Sequence, residues 1–94
     1  GFDNLTKGHR AEIGYWLAAP FWGQGIMSSV VRVACDVAVS EWDLARITAI
    51  VFEDNLASIR LLEKNRFVHE ALLRKYFKRD VKFSDAHLYA LIAD

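Results

Sequence analysis

An apolar strand followed by a glycine-containing turn and a helix is the feature that most constrains this chain. Residues 11–17 are mainly apolar and aromatic, as expected for a strand of a sheet. Pro20 ends that strand, because proline has no N–H to donate to a ladder. Gly23 and Gly25 then allow backbone angles that a Cβ would forbid, so successive N–H groups can point into one concavity.

The helix after this turn makes it a candidate anion site. Ser28 or Ser29 is expected to cap a helix that runs from about residue 27 to residue 42 and buries one side. Unpaired amides and the helix dipole favour negative charge there, and we interpret the turn as a diphosphate site. On spacing alone, an ordinary strand-to-helix turn is an equal alternative. The dinucleotide-binding fingerprint Gly-x-Gly-x-x-Gly is excluded, because Ser28 stands where its third glycine would be. The phosphate-binding P-loop is also excluded, because no Gly-Lys-Ser/Thr follows.

Composition limits the class of protein. The chain has 94 residues, enough for one small domain, and 53% of them are hydrophobic. Lysine plus arginine equals aspartate plus glutamate at 12 each, which favours neither a nucleic acid nor a membrane as partner. Without a signal peptide or long apolar segment, and with Cys35 as the one cysteine, we expect a cytoplasmic protein with a buried structural thiol. No metal is expected, because the histidines lack ligand spacing: His9, His69 and His87.

The remaining elements predict an α/β fold with a mixed sheet. Residues 46–52 are a β-branched run typical of a buried strand parallel to the first. A second helix is expected over residues 56–64, followed by a hairpin of residues 67–77 and 81–92. Gly1 and Phe2 are interpreted as the end of an earlier strand. The order is then strand, helix, strand, helix, strand, strand.

Several motifs together resemble the GNAT superfamily of N-acetyltransferases, in particular its Rim-type branch of ribosomal-protein-alanine acetyltransferases. They are Ala11-Glu12-Ile13-Gly14-Tyr15-Trp16-Leu17, Trp22-Gly23-Gln24-Gly25-Ile26, Asn55-Leu56-Ala57-Ser58-Ile59-Arg60 and Leu62-Glu63-Lys64. The resemblance implies a GNAT-like acyl-CoA N-acyltransferase fold, with residues 1–94 as one acetyl-CoA-binding domain that corresponds to the C-terminal portion of the family's domain. It also implies an acetyl-CoA-dependent transfer to a primary amine, such as a small amine or a protein N-terminus, without an acyl-enzyme.

The resemblance places coenzyme A along the strand and the turn. The pyrophosphate falls on the turn and helix start, and the pantetheine arm runs beside the preceding strand. The residues implied are Tyr15, Trp16, Leu17, Ala18, Trp22, Gly23, Gln24, Gly25, Ile26, Met27 and Ser28, with Asn55 and Ser58 near the thiol end. Core packing is the alternative for the Trp16 ring. Met27 replaces a smaller residue of the family and would narrow the cradle.

Two side chains are candidates for proton transfer. Ser58 can protonate the leaving thiolate, although Asn55 and Ser58 could instead serve only to cap the helix. Many members place a tyrosine acid four residues later, where this chain has Leu62. Glu12 lies where many members keep a carboxylate base, and a solvated carboxylate without a role is an equal alternative. Weaker substitutes for this base are Glu53 and Asp85.

Two departures from the family pattern affect the expected fold. Arg66 replaces the usual glycine, so a positive φ there would be strained and the turn could differ. The family's N-terminal strands and helices have no counterpart in these residues, so the strand over residues 11–17 would lack its partner. We expect that open edge to form a homodimer. The alternatives to an active enzyme are a module that only binds coenzyme A and a purely dimerising fragment.

Overall fold

The computed structural model describes residues 2–13 and 24–93 of the chain. These residues form strands and helices in the following order: β1 (Phe2–Thr6), β2 (Arg10–Ile13), α1 (Gln24–Trp42), β3 (Arg46–Phe52), α2 (Leu56–Lys64), β4 (Val68–Arg79) and β5 (Lys82–Ile92). Within them, five strands make one sheet in the spatial order β1-β2-β3-β5-β4. The predicted α/β class with a mixed sheet is confirmed.

The central strands combine parallel and antiparallel pairing. β2 and β3 are parallel, with Ala11 opposite Ile47 and Ile13 opposite Ala49. β5 is antiparallel to both β3 and β4, so β4 runs parallel to β3 with β5 between them. Each helix therefore connects two parallel strands, as a strand–helix–strand crossover requires.

The hydrophobic core lies on one face of the sheet and joins both helices to it. Alternate residues of β3 (Ile47, Ala49 and Val51) are at most 3% exposed, as expected for a strand with one covered face. α1 contributes Val31, Cys35 and Ala38, whose spacing of four and three residues keeps them on one side of a helix. α2 contributes Leu61 and Leu62 to the same cluster. The predicted burial of the Cys35 thiol is confirmed.

The turn that ends α2 has the geometry of a Schellman motif. The Arg66 N–H donates to the Glu63 carbonyl, and the Phe67 N–H donates to the Leu62 carbonyl at 3.0 Å. Arg66 itself has φ +69°, the left-handed conformation that normally favours glycine. The turn thus keeps its usual hydrogen bonds even though arginine occupies the strained position.

Two predictions about the start of α1 are wrong. α1 begins at Gln24, three residues earlier than expected, because Gly25 is accommodated inside its first turn. Ser28 and Ser29 therefore lie within the helix, and neither caps its N-terminus. The part of the predicted strand and turn that covers residues 14–23 lies outside the described residues.

The prediction of an unpartnered strand is also wrong for residues 10–13. β1 extends to Thr6 and pairs antiparallel with β2, with Phe2 opposite Ile13 and Asp3 opposite Glu12. β2 therefore has a hydrogen-bonded neighbour on each side, and its edge is not open for pairing with a second copy.

The other boundaries agree with the predictions to within a few residues. β3 and α2 have the predicted bounds, and the hairpin turns at Asp80 and Val81 rather than over residues 78–80. No helix among the described residues has the length and apolar character needed to cross a membrane.

Candidate functional site

The candidate site lies at the edge of the sheet where the parallel strands β2 and β3 end. A hydrogen bond at the C-terminus of α1 shows which way this helix runs. The Gly8 N–H, just before β2, donates to the carbonyl of Trp42, the last residue of α1, at 2.8 Å. α1 has 19 residues and is about 28 Å long. Since its C-terminus is beside the start of β2, its N-terminus lies toward the carboxyl ends of both strands. α2 begins at the same edge, four residues after β3 ends.

The first turn of α1 has the chemistry of an anion site. Its leading N–H groups have no acceptor within the helix, and its first turn contains no acidic residue. Four of the residues implied for the pyrophosphate lie there: Gln24, Gly25, Ile26 and Met27. Ser28 lies one position further, where its N–H faces a carbonyl of the helix. A diphosphate site at this helix start stays a prediction, and the remaining implied residues lie outside the described part: Tyr15, Trp16, Leu17, Ala18, Trp22 and Gly23.

Asn55 and Ser58 form the N-terminal cap of α2. The Asn55 Oδ1 accepts a hydrogen bond from the Ser58 N–H at 3.3 Å, so the amide satisfies one of the leading donors of the helix. The Ser58 side chain is buried on the helix side of the sheet, with 6% of its surface exposed. The capping role of Asn55 is thus established, and a catalytic role of Ser58 stays a prediction.

Glu12 lies on the opposite face of the sheet from Ser58. Ala11 and Ile13 are buried against the helices, and successive strand residues point to opposite faces. Glu12 therefore points away from α1 and α2, beside Thr48 of β3, and is partly exposed. Glu12 is level with Thr48, four residues before the end of β3, so it lies about 13 Å from that strand end, and its role as a base stays a prediction.

The hairpin of β4 and β5 extends beyond this edge. Phe52, the last residue of β3, is level with Ala86 of β5 and Leu73 of β4. The strands continue past that level by at least four residues, about 13 Å. Phe77 stacks on Phe52 with ring centroids 4.1 Å apart, which fixes the base of this extension to the sheet.

An open cleft of about 710 Å³ lies between the extension and the turn that follows β3. Phe52 and Asp54 line it from the sheet side, and the residues from Phe77 to Lys82 line it from the hairpin. The predictions did not assign these hairpin residues to a site. The run of basic and aromatic residues after residue 73 was the signal available for them in the sequence.

A bulge shapes the same hairpin. The β4–β5 register shifts between Leu73 and Phe77, and Lys75 has φ +53°. The Lys75 N–H donates to the Asp85 carboxylate at 2.8 Å instead of to a ladder partner. Such a bulge bends a strand and redirects its side chains, as is common beside active sites.

Metal-binding and thiol chemistry find no support in the described residues. No group of three or more potential ligand side chains occurs in the described ranges. His69 and His87 lie in the hairpin strands, as predicted, where His69 Nε2 and His87 Nδ1 form a hydrogen bond of 2.9 Å. Burial, reinforced by the charge of Asp36, raises the pKa of the Cys35 thiol to about 12, so it is not a nucleophile at neutral pH.

Comparison with known proteins identifies the family. Residues 1–68 match the model of the acetyltransferase (GNAT) domain. An uncharacterized N-acetyltransferase of Bacillus subtilis, YoaA, is 39% identical over 93 residues, which are 98% of this chain and 52% of that protein. The chain thus spans about half the length of the curated relatives it matches.

Solved structures agree in fold with the described elements. The ribosomal-protein-S5-alanine acetyltransferase of Vibrio fischeri superposes with a TM-score of 0.87 at 30% identity, over 99% of this chain and 52% of that one. RimL, a ribosomal L7/L12 alpha-N-protein acetyltransferase in complex with coenzyme A, gives 0.78 at 31% identity, over 88% of this chain and 47% of that one. With the domain match over residues 1–68, these similarities show that the chain belongs to the GNAT acetyltransferase family.

Proposed function

We propose that the protein is an acetyl-CoA-dependent N-acetyltransferase whose acceptor is the N-terminal amine of a polypeptide. The observation that carries this proposal is the start of α1, free of acidic residues, at the carboxyl ends of β2 and β3 in a member of the GNAT family. The relatives that act on ribosomal proteins support a protein acceptor over a small amine.

The proposed reaction uses both faces of the sheet. The Glu12 carboxylate takes a proton from the acceptor ammonium through intervening water, so that the amine nitrogen gains a free electron pair. The nitrogen attacks the thioester carbon, and a backbone N–H at the strand ends stabilises the oxyanion of the tetrahedral intermediate. The carbon–sulfur bond then breaks, and the Ser58 hydroxyl, on the other face, protonates the leaving thiolate. The amide nitrogen gives up its surplus proton to solvent, from which the Ser58 oxygen regains one. No acyl-enzyme forms.

Coenzyme A binding is tested most directly at Gly25. Gly25→Asp would place a carboxylate against the diphosphate, whereas Gly25→Asn has the same shape without the charge. Isothermal titration with coenzyme A should show at least a tenfold weaker affinity for the aspartate variant than for the asparagine variant, because like charges repel at this helix N-terminus. Equal affinities of the two variants would contradict the proposed placement of the diphosphate.

Transfer activity is tested separately by release of the coenzyme A thiol. Release from acetyl-CoA should depend on an added peptide with a free N-terminus, and an N-terminally blocked peptide is the control. Glu12→Gln should lower kcat most at neutral pH and less at high pH, where the acceptor amine is already neutral. Binding of coenzyme A without any thiol release would favour the alternative of a binding module.

We also propose a cytoplasmic location and a homodimer. The chain's one cysteine is buried and unpaired, which suits a reducing compartment. β1 is a short edge strand of the described sheet, and the half-exposed Leu5 lies on it. Pairing of two β1 edges would cover this strand. Light scattering coupled to size exclusion should give twice the monomer mass, and a monomer at high concentration would exclude the dimer.

A further inference from the structure

The tip of the β4–β5 hairpin is a concentrated positive surface on a neutral chain. We define the basic tip as residues 74–82, in which five of nine side chains are cationic and one is acidic: Arg74, Lys75, Lys78, Arg79 and Lys82, with Asp80. Arg46–Glu70 is the one ion pair among the described residues, so none of these five cations lies within ion-pair distance of a described carboxylate. The Asp85 carboxylate, which accepts a hydrogen bond from the Lys75 N–H, adds one negative charge beside the tip. The tip is thus available to an anionic partner.

Aromatic rings hold several of these cations at the surface. The Arg79 guanidinium lies 6.0 Å from the centre of the Phe52 ring, beside the cleft. The Nζ atoms of Lys75 and Lys78 both lie within 6 Å of the centre of the Phe83 ring, at 5.7 and 5.6 Å. Cation–π contacts of this kind restrict long side chains without removing their charge. The cations are therefore partly oriented before any partner binds.

The basic tip borders the cleft at the strand ends. Lys78, Arg79 and Lys82 line that cleft, whose acidic residues are Asp54 and Asp80. An acceptor chain whose amine lies at the strand ends would pass this surface within its first few residues, since the hairpin extends about 13 Å beyond β3.

We propose that the basic tip selects acceptor polypeptides with acidic residues shortly after the N-terminal amine. This inference rests on the proposed function and adds the charge class of the acceptor. A polypeptide is favoured over RNA because the dense cluster of cations, five of the twelve in the chain, occupies only one hairpin of a chain with no net charge, whereas RNA binding normally needs an extended basic surface. Three partly solvated charge pairs between the cleft-lining cations of the tip and acidic residues of the acceptor predict about a five- to thirtyfold preference over a neutral acceptor.

The test compares two peptides that differ only in charge. Both are ten residues long with the same free N-terminal residue, and positions three to six carry Asp and Glu in one and Asn and Gln in the other. The ratio of kcat/KM for the acidic and neutral peptides, measured by thiol release, should be about five to thirty at low salt. It should fall as salt is added, because exposed charge pairs are screened. A ratio near one at low salt would overturn the proposal.

A tip variant and a matched control locate the effect. The tip variant combines Lys78→Gln, Arg79→Gln and Lys82→Gln, and it should bring the ratio close to one. The control removes the same number of positive charges from exposed positions outside the tip: Lys7→Gln, Arg32→Gln and Lys64→Gln. The control should keep the ratio of the unmodified protein, and an equal loss in both variants would overturn the proposal.

Two further outcomes separate this proposal from its alternatives. Loss of binding to a single-stranded RNA in the tip variant, with the peptide ratio unchanged, would overturn the proposal in favour of a nucleic-acid surface. Absence of thiol release with every peptide would instead refute the proposed function itself. If the tip variant does not fold, the two-peptide ratio and its salt dependence on the unmodified protein still decide the question.

Discussion

Arg66 offers a sharp test of the backbone geometry that joins α2 to β4. Arg66 has φ +69° at the end of α2, and the N–H groups of Arg66 and Phe67 both donate to helix carbonyls. An L-residue with a Cβ is expected to cost about 1–2 kcal/mol in this conformation. Arg66→Gly removes that strain and keeps both hydrogen bonds, since they involve only the backbone.

The net gain is smaller than the strain, because glycine also gives the unfolded chain more freedom. That freedom costs about 0.4–1 kcal/mol on folding. We therefore expect Arg66→Gly to raise the free energy of unfolding by about 0.5–1 kcal/mol and the Tm by about 2–8 °C. Urea denaturation followed by circular dichroism measures the first quantity, and a thermal scan measures the second.

Arg66→Ala is the matched control for the loss of the arginine side chain. It removes the charge and the long side chain but keeps the Cβ, so the strain remains and stability should change little. Asp43 has φ +51° and is a second comparison, because Asp tolerates the left-handed region and Asp43→Gly should gain less. An Arg66→Gly variant no more stable than Arg66→Ala would refute the reasoning.

Three further predictions concern single side chains. Asn55→Ala should lower the free energy of unfolding by about 1 kcal/mol because the N-cap of α2 is lost, whereas Asn55→Asp should retain most of it, as urea denaturation can measure. Cys35 should react with a thiol reagent at pH 8 only as fast as the protein opens and at once in denaturant, because burial raises the pKa of its thiol to about 12; fast reaction of the native protein would contradict the burial. Arg46 donates two hydrogen bonds to Glu70 and holds the pKa of that carboxyl below its usual value of 4.5. The stability that Glu70 adds relative to Glu70→Gln should therefore be present above pH 4.5 and lost as the pH falls through the lowered folded pKa, and denaturation midpoints over a pH series that do not converge in acid would contradict this.

Local chemistry made some elements predictable from the sequence. α2 was placed correctly because Asn55 is a strong N-cap and the apolar residues that follow have helical spacing. β3 was placed correctly because four of its seven residues are β-branched, which leaves few alternatives to a strand. Arg66 was also identified from the sequence as a strained residue after α2, although its turn does not differ from the usual one as expected.

The wrong predictions concern segments whose structure is determined by tertiary contacts. β1 contains Asp3 and Asn4, which are poor strand formers, and it is a strand because its backbone pairs with β2. α1 begins early because Gly25, which the sequence alone placed in a turn, is tolerated in a helix. The Lys75 bulge depends on an acceptor ten residues away, the Asp85 carboxylate, and no local pattern encodes that contact.

The extension of the β4–β5 hairpin beyond β3 can change in sequence independently of the rest of the fold. Residues 74–85 lie past the level of Phe52, and their mutual pairing does not involve β3. Insertions, deletions or charge reversals in this segment would leave the buried cluster between the sheet and its helices intact. The segment can therefore diverge rapidly between paralogues, as an interchangeable module, while the scaffold beneath it stays the same.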